Sequence, residues 1–165
     1  MSLLLTFVWL AAAEPPLTVH AVVLLADSIH QGIVPVPGPL GDGQSPETNL
    51  YWGARYGVKT FFGRRGWRAL AIDPPEAGAL ERRAWTRRIG GRPVVLVAEA
   101  WDGRHGRAFL ERYLTLLSGD AKPESLRLPD GTSVSAGPGA DAVVYIGHNV
   151  LMDFDPPSIA HLSTG

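Results

Sequence analysis

The sequence contains no cysteine, so disulfides, thiolate metal sites and a cysteine nucleophile are excluded within its 165 residues. Lysine is scarce too: Lys59 and Lys122 are the only two, and arginine supplies the other cations. A net charge of −1 gives no electrostatic case for nucleic acid or an anionic membrane. The apolar run at residues 3–10 is too short to cross a bilayer, so no stable membrane span is expected. Zinc-protease spacing of the His-Glu-x-x-His kind is missing, which leaves a metal site built from His30, His105 and His148 without a motif. Ser28 is not framed as Gly-x-Ser-x-Gly, so a Ser28–His148 triad also lacks one. Gly41-Asp42-Gly43 is too short to argue phosphate binding, and no cofactor is expected.

What remains is an ordinary globular composition, 45% hydrophobic and 19% charged, long enough for one domain with its own core. Residues 1–13 need a separate reading. An apolar stretch followed by Ala11-Ala12-Ala13 fits a secretory signal, although no Lys or Arg precedes it. The competing reading is an initial buried strand. The domain proper is residues 14–165. It is exported, to the periplasm or outside the cell, if 1–13 is a signal, and cytoplasmic otherwise.

Three apolar runs read as strands: Val19 to Ala26, Val94 to Ala98, and Ala142 to Ile146. Ser45-Pro46-Glu47 is a good helix start, and the spacing of Leu50, Ala54 and Val58 predicts a helix ending near Phe62-Gly63. Residues 67–72 read as a short strand. Residues 76–92 are either a helix or one arm of a hairpin turning at Gly90-Gly91, with the hairpin favoured. Residues 104–118 are the clearest helix, with Ala108, Leu110, Tyr113, Leu114 and Leu117 as its apolar face and Gly119 as its cap. Pro129-Asp130-Gly131 marks a small hairpin. This alternation predicts an α/β three-layer sandwich with a mostly parallel central sheet.

Each apolar run ends in chemistry-bearing residues, and ligands gather beyond the carboxyl ends of strands in such sheets. His148, behind Gly147, is the candidate catalytic base, because imidazole titrates near neutral pH. Asp27, Ser28, Glu99, Trp101, Asp102 and Asn149 are candidate binding residues at the same edge. Glu99 and Asp102 suit a basic substrate group, while Asp102 equally suits a cap for the helix starting near residue 104. Asn149 either orients the imidazole or holds a turn, and Asp153 reads as a loop acceptor. Trp52 reads as core more readily than as a pocket wall.

Asp141 to Asn149, with Gly147-His148 at the end of a strand, resembles the caspase-like cysteine peptidases, in which such a histidine is the catalytic base. The resemblance extends to the order of strands and helices over residues 19–155. It implies a nucleophilic cysteine on the next strand, about 50 residues beyond the histidine. None is present here, so the expectation is a hydrolase-type domain that is truncated at its C-terminus and inactive as written. Residues 49–57 and 147–153 are also similar to an uncharacterised family of bacterial, exported proteins to which no activity attaches. The alternative is a non-catalytic α/β domain that binds a peptide or a small molecule, with Trp52, Trp101, Glu99 and His148 lining the pocket.

Overall fold

The computed structural model describes residues 14–75, 77–120 and 122–154, so both readings of residues 1–13 lie outside the described residues. The core of the fold is a five-stranded sheet. It comprises β1 (Leu17–Leu24), β2 (Arg68–Leu70), β3 (Ala79–Ile89), β4 (Arg92–Trp101) and β7 (Ala142–Ile146), in the order β2-β3-β4-β1-β7. A separate hairpin, β5 (Glu124–Arg127) with β6 (Ser133–Ala136), turns where Pro129-Asp130-Gly131 predicts it. Helix α1 is Val58–Phe62 and α2 is Gly106–Ser118.

The protein is therefore α/β, but its sheet is mixed. β1 is parallel to β4 and to β7, whereas β3 is antiparallel to β4 and β2 to β3. The reason is local. Gly90 (φ 57°) and Gly91 (φ 87°) occupy the left-handed turn positions that a two-residue hairpin demands. The chain thus reverses directly from β3 into β4 instead of crossing over through a helix. The hairpin reading of residues 83–98 holds, and it is what overturns the mostly parallel sheet.

The helix expected over residues 45–62 shrinks to its last turn. Gly53 and Gly57 pack where a Cβ would sit 2.0 Å from the Glu47 carbonyl oxygen and 2.4 Å from Trp52 backbone. The segment folds as consecutive turns around the buried Asn49, and the periodicity of Leu50 and Ala54 has no helix to serve. Helix α2 stands as expected, and of its expected apolar face Leu110, Tyr113 and Leu114 pack on the core while Ala108 and Leu117 do not. Phe109, Leu110 and Leu116 are buried, while Leu117 stays 47% exposed. Gly119 ends it with φ 79°. A Cβ there would meet nothing within 4 Å, so Gly119→Ala should cost only the backbone term, about 1 kcal/mol, read as a shift in a urea midpoint.

Alternation along the strands divides the core. Ala21, Val23, Leu25, Leu96, Ala98 and Ala100 face Trp52, Val58 and Trp85 on one side. Val22, Leu24 and Trp101 face Phe109, Leu110 and Leu116 of α2 on the other. Further along that second face, Ala84, Val95 and Val97 are covered by Leu126, Leu128 and Val134 of the small hairpin. Because β1, β4 and β7 run the same way, their carboxyl ends share one edge of the sheet.

Candidate functional site

Beyond β1 the chain makes a tight turn organised by Asp27, which is 3% exposed. Asp27 Oδ1 accepts from the backbone N–H groups of Ile29 (2.9 Å) and His30 (3.0 Å). Its Oδ2 lies 2.9 Å from His30 Nδ1. The His30 ring is 44% exposed, and its Nε2 has no partner among the described residues. Gln31 pins the turn from beneath by donating to the Leu25 and Gly103 carbonyls at 2.8 and 2.9 Å. A buried carboxylate that fixes an imidazole and leaves its outer nitrogen free is an arrangement able to accept or donate a proton.

This pair borders a cleft of about 570 Å³ lined by Asp27, Ser28, His30, Val36, Gly41 and Asp42, among others. That volume lies within the range of small-ligand sites. Asp42 is held below the usual carboxylate range by hydrogen bonds from the Gln44 backbone and the Ser45 hydroxyl, against a small opposing effect of burial. Ser28 Oγ is occupied by the Val36 backbone, accepting from its N–H at 3.2 Å and facing its carbonyl at 3.5 Å. It is not bonded to either histidine.

The far wall is tied to β1 by Asn49. Its Oδ1 accepts from Ala26 N–H (3.1 Å), and its Nδ2 donates to the carbonyls of Ala26 (2.8 Å) and Asp42 (2.9 Å). The amide side chain thus pairs with Ala26 as a neighbouring strand would.

His148 follows β7 directly, at the same edge. Gly147 before it has φ 144°, and a Cβ there would lie 2.8 Å from the Leu24 carbonyl oxygen, so a glycine is needed for β7 to close against β1. The His148 ring is mostly buried, with Nε2 2.9 Å from Asp153 Oδ2 but out of line for a hydrogen bond. Asp153 Oδ1 also accepts from Gly32 N–H at 3.3 Å, which joins the loop after β7 to the loop after β1. Asp153 therefore both stabilises the loop and faces the imidazole. Asn149 holds a turn, with its Oδ1 accepting from Leu151 N–H at 3.2 Å. The Tyr145 hydroxyl donates to the His148 carbonyl and accepts from Val150 N–H, clamping the loop. Burial pushes that hydroxyl's pKa up.

Glu99 is not at this edge. β4 continues to Trp101, so Glu99 points inward and is 1% exposed beneath α2. Arg112 of α2 reaches it at 2.9 Å, Arg82 of β3 at 3.5 Å, and Trp101 Nε1 donates to it at 3.1 Å. His20 Nε2 lies 3.1 Å away, while His20 Nδ1 accepts from Gly137 N–H at 3.0 Å. An accepting nitrogen carries no proton, which puts the ring proton on Nε2, facing Glu99. Arg82 also pairs with Glu124, so two arginines are balanced by two glutamates. Burial alone would raise the Glu99 pKa, but His20 and Arg112 outweigh it and hold the carboxyl far below its usual range.

Trp101 is 5% exposed and Trp52 fully buried, with Trp52 Nε1 donating to Glu81 at 2.6 Å. Neither tryptophan lines the cleft. Asp102 stays at the edge but is engaged by Arg104 through both carboxylate oxygens, and burial is outweighed by that contact. It shapes the turn before α2 without capping the helix itself, whose first residue is Gly106.

The edge therefore unites Asp27, Ser28, Asp102, His148 and Asn149, and adds His30, Asp42 and Asn49. Asp27-Ser28-Ile29-His30 does carry a local sign of its geometry, because an aspartate accepts readily from backbone two and three residues on. Among the described residues, no group of three or more His, Asp or Glu side chains is arranged to hold a metal ion. Compared with protein-family models, with curated proteins and with solved structures, the chain matches none of them.

Proposed function

We propose that this is a hydrolase-type α/β domain of the caspase-like kind, which binds a ligand bearing a basic group at the carboxyl edge of β1, β4 and β7 and does not cleave it. The three-layer arrangement and export through residues 1–13 belong to the same proposal. The observation that carries the binding role is the cleft beside the Asp27–His30 pair. Asp42 presents an ionised carboxylate there, and Arg104 engages Asp102 next to it. A ligand guanidinium or ammonium group fits that charge, as in an arginine or lysine side chain of a peptide or a small amine. His148 takes the place of a general base facing Asp153, yet no hydroxyl nucleophile is bonded to it among the described residues, and the sequence has no cysteine.

Calorimetric titration with acetyl-Ala-Arg-Ala-amide, against its Gln analogue, tests this. The Arg peptide is expected to bind more tightly and emerge intact, and Asp42→Asn should weaken it about tenfold, the worth of one charge-assisted hydrogen bond. Equal affinity for both peptides, indifference to Asp42→Asn, or peptide cleavage would each defeat the reading.

A further inference from the structure

We propose that the arginine-rich end of the sheet, opposite the candidate site, docks onto an anionic phospholipid bilayer. Eight arginines fall between residues 64 and 92, against three acidic residues, so the whole-chain charge of −1 averages over a segregated surface. The fold collects six of them. Gly90-Gly91 turns the β3–β4 hairpin at the amino end of β4, which is the end remote from His148. Arg87, Arg88 and Arg92 flank that turn. Arg68 sits opposite Thr86, and with Arg87 and Arg88 it lines a cleft of about 290 Å³ that Asp130 also borders. Arg87 donates to the Arg65 carbonyl at 2.9 Å, which brings Arg64 and Arg65 to the same end. Among the described residues, the ion pairs to carboxylates use Arg82, Arg83, Arg104 and Arg112, and none of these six.

Charge alone would suit any polyanion, and the hairpin tip selects a bilayer. Ile89, at the hairpin tip between Arg88 and Gly90, is 53% exposed. An apolar tip flanked by Arg87, Arg88 and Arg92 matches the headgroup–acyl boundary, where phosphates lie above hydrocarbon. Single-stranded nucleic acid would instead use exposed aromatic faces for stacking. At this end Phe61 is covered by the Arg65 guanidinium, 4.4 Å from its centroid, and Trp67 packs edge-on against Phe62.

The test is co-sedimentation of the full chain with phosphatidylcholine vesicles, with and without phosphatidylglycerol. Binding is expected only to the anionic vesicles, and it should fall as salt rises. The double variant Arg87→Glu/Arg88→Glu should weaken it by about tenfold or more, and Ile89→Ser severalfold. Unchanged melting curves would show that these exposed changes leave the fold intact. Equal binding to neutral vesicles, or binding indifferent to the double variant, overturns the proposal. So does charge-dependent binding of a labelled oligonucleotide or of inorganic phosphate without vesicle binding.

Discussion

Glu99→Gln should destabilise the protein by about 3 kcal/mol at neutral pH, because it leaves two buried arginines, Arg82 and Arg112, to share the single partly exposed carboxylate of Glu124 inside the sheet–helix interface. The same change should flatten the acid limb of the stability profile. The Glu99 carboxyl titrates far lower in the folded chain than its ordinary value of 4.5. Its contribution is therefore complete above about pH 5, and it drains away as the pH falls below the unfolded value and the unfolded chain takes up the proton first. Urea midpoints between pH 7 and pH 2 read both effects. The variant should start lower and change less with acid. A wild-type slope in the variant would mean that other carboxylates govern acid unfolding. Replacing the set by apolar residues of similar volume is a different experiment, since it removes the buried charges together with their partner.

Asn49→Ala should cost about 3 kcal/mol, although it removes only a short side chain. Asn49 is fully buried, and its amide serves the N–H and the carbonyl of Ala26, which is itself fully buried. Truncation strands both groups, and each unpaired buried group costs on the order of 1–3 kcal/mol. The consequence should extend beyond stability. Asn49 also holds the Asp42 carbonyl, one wall of the cleft, so the variant should lose affinity for the Arg peptide while still folded at low temperature. Denaturant unfolding and peptide titration on the same sample check the two together. A destabilised variant with undiminished affinity would move the binding site away from residues 27–44.

Elements set by neighbouring residues were legible. The apolar runs became β1, β4 and β7, Gly90-Gly91 became the hairpin turn, Pro129-Asp130-Gly131 became the small hairpin turn, and Gly119 ended α2. The helix over residues 45–62 failed because its periodicity competed with close backbone contacts at Gly53 and Gly57, which a helix propensity does not register. The face of α2 was legible in part, at Leu110, Tyr113 and Leu114, and missed Phe109 and Leu116 for a similar reason. Phe109 and Leu116 are chosen by what lies opposite them, Trp101 and β1, more than by their spacing alone.

The same division holds for the site. That Asp27, Ser28, Asp102 and His148 follow apolar strands is a property of the sequence, as is the lack of a cysteine. Which of them meet was decided by the tertiary structure, because strand direction and strand length are set by partners distant in the chain. Parallel pairing of β1 with β4 and β7 brought the turn at Asp27 and the loop at His148 to one edge. Two more residues of pairing, to Trp101, drew Glu99 away from that edge and under α2, where His20 and Arg112, with Arg82 beside them, make its burial tolerable. Local hydrogen bonding and turn chemistry act over a few residues and are written in order along the chain. Burial and charge compensation act between residues 82, 99 and 112, and they exist only once the sheet and the helix have closed over one another.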